Sequence, residues 1–339
     1  MKLSIVVPCF NEEACLGELH RRLSAAARDA AGDDYELVLV NDGSRDASWP
    51  AMRAMAAEDS HVVAVNLSRN HGHQLALTAG LDLCRGDTIL IIDADLQDPP
   101  ELLPSMLAAM READADVVYG VRKSRAGETA FKRATAHGFY RLLSRATEVD
   151  IPLDAGDFRL MSRRALDALL AMPEQARFIR GMVAWIGFRQ VPFAYDRAER
   201  FAGSTKYPLK KMMRFALDAL TGFSSAPLKL ASHAGLWLSL GSVLLIIYIA
   251  YAWIAGQSIQ GWTSLMLVVV VLGAIQMFVL ALQGEYIGRL YNEAKRRPLY
   301  IVQEVAGGSA GPADARLGYL ASATANSDKP GGKGKRPTR

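Results

Sequence analysis

Short runs of β-branched and aliphatic residues alternate with longer amphipathic stretches over the first half of the chain. The runs at 3–7, 36–40, 62–66, 88–92 and 116–119 read as buried strands, and the stretches at 12–31, 47–59, 74–84, 100–113 and 129–147 read as helices. Alternation of this kind predicts an α/β domain on a doubly wound sheet. In such sheets ligands gather beyond the carboxyl ends of the strands. Three polar clusters directly follow predicted strands: Pro8-Cys9-Phe10-Asn11-Glu12, Asn41-Asp42-Gly43-Ser44 and Asp93-Ala94-Asp95-Leu96-Gln97-Asp98. They are expected to share one rim and form one site.

The pattern then changes. No Asp, Glu, Lys or Arg occurs between Lys229 and Glu285, a stretch of 55 residues. It holds apolar runs at 234–255 and 262–282, separated by the polar turn 256–261. A helix of about 20 apolar residues crosses the hydrocarbon core, so two transmembrane helices joined by a short hairpin are predicted. Lys210, Lys211, Arg214 and Lys229 precede the pair, Arg289, Lys295, Arg296 and Arg297 follow it, and the turn has no basic residue. The positive-inside rule then puts both flanks and the α/β domain in the cytoplasm. Leu209, Met212, Met213, Ala216, Leu217 and Leu220 recur at helical spacing and predict an amphipathic helix at the membrane surface. The expected division is an α/β domain at 1–205, an interfacial helix at 206–229, the membrane pair within 230–284, a second interfacial segment at 285–305 and a disordered tail at 306–339.

Composition narrows the class. Half of the residues are hydrophobic and the net charge is +4, which excludes a disordered chain and argues against a nucleic-acid partner. Cys9, Cys15 and Cys84 are odd in number and lack metal-ligand spacing, so reduced thiols are expected. The apolar run at 3–8 is too short for a secretory signal.

The run 88–92 followed by Asp93 and Asp95 carries the most chemistry. A buried strand ending in two carboxylates one residue apart delivers hard oxygen ligands to a divalent cation, which bridges them to phosphate oxygens. Asp98, ahead of Pro99 and Pro100, reads equally well as a helix N-cap. An aspartyl-phosphate hydrolase also places Asp-x-Asp after a strand, but Gln97 stands where that pattern has Thr or Val. A non-catalytic nucleotide-binding scaffold would have no use for Asp93, Asp95 and Asp157 together.

The three rim clusters, with Gly156-Asp157-Phe158-Arg159-Leu160, resemble family 2 glycosyltransferases of the GT-A fold. Adding residues 200–207 and the two-span hairpin, the chain is similar to polyprenyl-phosphate glycosyltransferases, the bactoprenol glucosyltransferases and dolichol-phosphate mannose synthases among them. Processive polysaccharide synthases carry Gln-x-x-Arg-Trp, which Gln175-Ala176-Arg177-Phe178 does not match.

The resemblance implies a GT-A, Rossmann-like domain and an inverting, metal-dependent transfer of a hexosyl group from a UDP-sugar to undecaprenyl phosphate. Glucose is the first expectation; galactose, an N-acetylhexosamine, mannose or a modified arabinose are the alternatives. It implies that Pro8, Phe10, Glu12, Asp42, Asp93 and Ala94 bind the sugar nucleotide, and that Asp93, Asp95 and Gln97 hold Mg²⁺ or Mn²⁺. Asp95 and Asp157 are the catalytic candidates, and Arg122, Ser124, Arg200, Ser204, Lys206 and Tyr207 are the donors for the lipid phosphate and diphosphate. A homotetramer among membrane lipids is the implied assembly. Because a phosphate monoester loses its second proton near pH 6, Asp157 is expected to orient the acceptor side, through Arg159 or a basic residue of 200–207, more than to abstract a proton. His71 and His73 read as loop histidines without an assigned role.

Overall fold

The computed structural model describes residues 2–122, 155–196 and 261–307, with scattered positions between 228 and 255. The predicted helix 129–147, the loop 200–207, Ser124 and nearly all of the interfacial helix 206–229 lie outside the described residues. The chain divides into two compact units, one containing the residues up to 122, 155–196 and 297–307, the other containing 261–296 and the positions between 228 and 255.

The first unit is an α/β domain. Its elements in chain order are β1 Leu3–Cys9, α1 Glu13–Ala31, β2 Tyr35–Asn41, α2 Ser48–Glu58, β3 Val62–Leu67, α3 His73–Leu83, β4 Thr88–Ile91, α4 Leu103–Glu112, β5 Val117–Arg122, β6 Ala155–Ser162, α5 Arg163–Leu170, α6 Ile179–Trp185, β7 Gln190–Tyr195 and, beyond the second unit, β8 Val302–Ala306. The sheet order is β7-β5-β6-β4-β1-β2-β3-β8. Strands β3, β2, β1 and β4 run parallel, β6 enters antiparallel between β4 and β5, and β8 lies antiparallel on β3. The sheet is therefore mixed, where sequence alternation predicts a doubly wound one.

All seven residues of β1 and of β2 are buried, as expected of near-continuous apolar strands covered on both faces. Helix α1 covers them with Leu16, Leu19, Leu23 and Ala27, spaced three or four apart on one stripe. A fully buried leucine stabilises the fold by about 1.5–3 kcal/mol. Phe158 joins this core from β6 and meets the Tyr195 ring edge-on at 5.4 Å.

Strands β1–β5 and helices α1–α4 fall within a few residues of their predicted positions. Strands β6, β7 and β8 were not expected. Buried Asp157 and Arg159 interrupt the apolar pattern of β6 and hide it from a hydropathy reading. Strand β8 falls where the sequence suggests an interfacial segment at 285–305; instead its backbone completes the edge of β3, and Tyr300 just before it donates a 2.6 Å hydrogen bond to Asp82.

In the second unit, α7 spans Trp262–Lys295 without a break, 34 residues, or about 50 Å at 1.5 Å per residue. The boundary expected at 284 does not interrupt it; the helix ends at Arg296, whose φ of 47° is left-handed. An 18-residue window within Val268–Lys295 has a mean hydropathy of 1.9 with none of it buried, making this the one helix among the described residues long and apolar enough to cross a membrane. The described positions from Leu228 to Ile254 are also helical. Gly235 and Leu238 from that segment and Leu272, Ile275 and Gln276 from α7 line one cavity of about 440 Å³.

Candidate active site

The carboxyl ends of β1, β2 and β4 bring the three polar clusters to one rim. Asn11 and Leu96 hold left-handed backbone there, at φ 57° and 59°. Gly43 also has positive φ, and a Cβ on it would lie 2.5 Å from the Asn70 nitrogen, so the β2 loop closes on the β3 loop only with glycine. The first two clusters are laced together: Asn11 N–H donates to Ser44 Oγ at 2.9 Å, Arg45 N–H to Asn11 Oδ1 at 2.8 Å and Glu12 N–H to Ser48 Oγ at 3.0 Å. Pro8 is buried inside β1 and Phe10 projects from the rim, 43% exposed. Glu12 starts α1, its carbonyl accepting from Cys15 N–H at 2.9 Å.

Asp42 accepts from His71 N–H at 2.7 Å and Gly72 N–H at 3.0 Å, one on each carboxylate oxygen. It thereby shapes the loop that leads into α3. Burial raises its pKa in spite of these two donors.

His73 opens α3 and reaches two acidic groups at once. Its Nε2 lies 3.0 Å from Asp157 Oδ2 and 3.6 Å from Asp93 Oδ1. Asp157, on β6, is 6% exposed and is also paired with Arg180 of α6, through Nε at 2.8 Å and Nη2 at 3.2 Å. Burial alone would raise the pKa of Asp157, but the His73 hydrogen bond and the Arg180 charge hold it well below the usual carboxylate range. His73 is raised, because Asp157 and Asp93 outweigh its own burial. Asp93 is pushed up to about 6, first by burial and then by the charges of Asp157, Asp98 and Asp95, with His73 opposing.

His73, Asp93 and Asp157 offer ligand atoms within 4.8 Å of one another. Asp157 is nevertheless engaged by a guanidinium fork, whereas Asp93 Oδ1 is buried without a hydrogen-bond partner among the described residues. That orphaned oxygen, beside Asp95, is the one whose surroundings suit a hard cation. Ala94 between them is buried. Asp95 accepts from Gln97 N–H at 3.2 Å, so the Gln97 backbone turns back on the acidic pair.

Asp98 is not a helix cap. The residue at that position of the following helical turn is Pro99, and buried Asp98 accepts a short hydrogen bond from the Tyr195 hydroxyl of β7. Arg122 ends β5 against Gly156, where a Cβ would lie 3.4 Å from Nη2. Arg159, expected as a partner of the Asp157 carboxylate, turns instead to main-chain carbonyls, donating to Asp157 O at 3.3 Å and Gly156 O at 3.0 Å. The carboxylate's partners are His73, Gln74 and Arg180, none of which the sequence reading assigned. The available signal was the polar run 70–74 directly after β3, the fourth strand to end at this rim.

Residues 4–170 match the family model for glycosyl transferase family 2. The chain is 48% identical over 305 residues to the uncharacterized glycosyltransferase YkcC of Bacillus subtilis, covering 90% of this chain and 94% of that protein. The protein belongs to glycosyl transferase family 2. This glycosyltransferase is also 39% identical over 311 residues to a prophage bactoprenol glucosyl transferase homolog of Escherichia coli, covering 90% of this chain and 99% of the relative. Among solved structures, glucosyl-3-phosphoglycerate synthase of Mycobacterium tuberculosis aligns with a TM-score of 0.43 at 21% identity over 65% of this chain and 77% of that one. As a family 2 glycosyltransferase, the enzyme has the α/β arrangement of the GT-A fold, with Asp42, Asp93 and Asp95 just beyond the carboxyl ends of β2 and β4 in a mixed sheet.

Proposed function

We propose that this enzyme transfers one hexosyl group, glucose first among the candidates, from a UDP-sugar to undecaprenyl phosphate at the cytoplasmic face of the membrane, with inversion. The observation that carries the reading is full-length similarity to proteins named bactoprenol glucosyl transferase, 36–37% identical over 89–90% of this chain and 98% of theirs, an alignment long enough to include α7. The site supports it in kind, since a soluble charged donor and an insoluble acceptor meet only where an acidic rim is attached to a membrane segment.

In this reading α7 and the helical positions before it form the transmembrane hairpin, with its turn outside and the α/β domain inside, and the protein works as a homo-oligomer. Asp42 and the loops carrying Pro8, Phe10, Glu12 and Ala94 receive the nucleotide. A divalent cation, Mg²⁺ or Mn²⁺, held by Asp93 and Asp95 with Gln97 beside them, supplies charge neutralisation for the departing nucleoside diphosphate. Arg122, Ser124, Arg200, Ser204, Lys206 and Tyr207 offer donors to the phosphates. An acceptor phosphate oxygen forms the bond to the anomeric carbon as the bond to the diphosphate breaks. The acceptor is mostly a dianion at pH 7, so little proton abstraction is required of the protein.

The test is purified protein in a lipid bilayer with undecaprenyl phosphate, Mg²⁺ and a panel of labelled sugar nucleotides. A labelled lipid from UDP-glucose, lost in excess chelator and restored by Mg²⁺ or Mn²⁺, is the expected result. A lipid product from another donor would correct the sugar, undiminished product in chelator would remove the cation from the reading, and no lipid product from any donor would overturn it.

A further inference from the structure

We infer that Arg180 is a positioning residue for sugar transfer: from α6 it fixes the Asp157 carboxylate so that Asp157 acts as an immobile negative charge and not as a proton acceptor. The inference rests on the reading above only in placing Asp157 at the reacting centre; the geometry is independent of the acceptor.

A carboxylate offers about four acceptor sites. Four side-chain donors surround that of Asp157. Arg180 Nε donates to Oδ1 at 2.8 Å and Nη2 to Oδ2 at 3.2 Å, while His73 Nε2, in the tautomer that carries its proton there, lies 3.0 Å from Oδ2 and Gln74 Nε2 lies 3.4 Å from it. The two-point guanidinium contact fixes the carboxylate plane as well as its charge. Gln74 also accepts from Ile179 N–H at 2.9 Å, tying the first turn of α3 to the first turn of α6. The main chain on either side is held in turn, since Arg159 bonds the carbonyls of Asp157 and Gly156. The other acid facing this group is Asp93, whose Oδ1 lies 3.6 Å from the same His73 Nε2. Three elements thus converge on one carboxylate, with three of the four donors on Oδ2 and the Arg180 Nε–H on Oδ1. The guanidinium fork and the imidazole favour the ionised carboxylate, so a proton taken up there weakens the contacts that hold it. An immobile charge suits glycosyl transfer, whose transition state carries positive charge on the sugar ring, and fixed charges aimed at developing charge stabilise it without reorganisation.

The experiment compares wild type with Arg180→Gln, Arg180→Lys and Arg180→Ala in full-length protein. Arg180→Gln should lower kcat by about 10²-fold, the scale expected when a catalytic group is displaced by about an ångström, with KM for the sugar nucleotide changed by less than about threefold. Arg180→Lys should fall between, because a point charge lacks the fork. Added guanidinium should restore part of the Arg180→Ala rate. Wild-type kcat in Arg180→Gln overturns the inference, as does an equal loss in Gln and Lys variants with lowered melting temperature and no guanidinium rescue, which marks a merely structural pair. Should the wild type give no lipid product, the acceptor assignment fails, and hydrolysis of the sugar nucleotide by the same variants decides the role of Arg180. Without any substrate, the Arg180 Nε–H proton should exchange slowly by NMR and lose that protection in Asp157→Asn; rapid exchange in wild type overturns the inference directly.

Discussion

At the amino-terminal ends of the parallel strands, Ser4 Oγ donates to Glu36 Oε1 at 2.5 Å and receives Gly86 N–H at 2.6 Å, so a buried carboxylate and hydroxyl close on each other and on the main chain. At the carboxyl ends of the same strands, Asp93 keeps a buried oxygen without a hydrogen-bond partner among the described residues. The first rim continues in the same manner: Arg163 donates to Gly86 O at 2.9 Å and Cys84 O at 3.0 Å, and Asp116 takes Ser162 Oγ and Arg164 Nη2, each at 2.7 Å. Both rims are polar and both carry buried carboxylates. What separates them is the state of those carboxylates: Glu36 and Asp116 are paired at the first rim, where Tyr35 Oη alone of the β2 start lacks a hydrogen-bond partner among the described residues, whereas Asp93 at the second keeps an unpaired oxygen. Groups that complete one another contribute to stability, whereas groups left incomplete are held ready for something absent from the chain itself.

The largest expected effect breaks the open rim. Asp93→Asn should reduce sugar transfer by at least about 10²-fold, the scale of losing a charged group aimed at the reacting centre. The same change should stabilise the metal-free fold at neutral pH. Asp93 has a folded pKa raised to about 6 from an ordinary 3.8, so its charged form is disfavoured by folding. That cost is absent below about pH 4, grows up to pH 6 and is complete above it, where removing the charge should add about 2 kcal/mol after allowance for solvent screening. Thermal melts at pH 3.5 and 7.5, read beside the transfer rate, check both halves. A destabilised Asp93→Asn protein at pH 7.5 would contradict this account of the rim.

The satisfied rim should respond in the opposite sense. Glu36→Ala leaves Ser4 Oγ and Arg85 N–H without the acceptor they share, at a cost of about 2–3 kcal/mol for unpaired buried groups. Chemical denaturation should show that loss, while kcat per folded molecule stays at the wild-type value because the change lies at the opposite end of the strands. A kcat loss larger than the loss of folded protein would mean that the two rims are coupled.

The same distinction explains what hydropathy patterning reveals here. Strands β1 to β4 are legible because their apolar runs need no partner outside themselves, and Asp42, Asp93 and Asp95 stand out because they interrupt the pattern at strand ends. Strand β6 is not legible. Its Asp157 is buried by Arg180, 23 positions away, and by His73, 84 positions away, contacts that exist only once α3, β6 and α6 have met. Strand β8 is hidden for a different reason, since nothing in five residues says that the chain returns, after 34 residues of α7, to the edge of a sheet begun at residue 3. Asp98 shows a third kind of failure: its local sequence fits a cap, and its burial against Tyr195 of β7 overrides that preference.

The smallest expected effect sharpens the comparison through pH alone. Asp59, between α2 and β3 at the amino-terminal rim, accepts from His61 N–H at 2.9 Å and lies 2.8 Å from His20 Nε2 and 2.9 Å from His61 Nδ1. Burial would raise its pKa, but the His61 backbone donor and the two imidazoles lower it from 3.8 to about 2. A depressed carboxylate contributes stability that is fully present above its unfolded value and is lost as pH falls through the folded one. The window is therefore about pH 4 down to about pH 2, and the contribution about 1–2 kcal/mol once solvent screening is allowed for. Asp59→Asn should be less stable than wild type by this amount at pH 6 and converge with it near pH 2. That course is the mirror image of Asp93→Asn, which meets wild type at low pH and exceeds it at high pH. Equal pH dependence in the two variants would show that the rims do not differ in the way their hydrogen bonding requires.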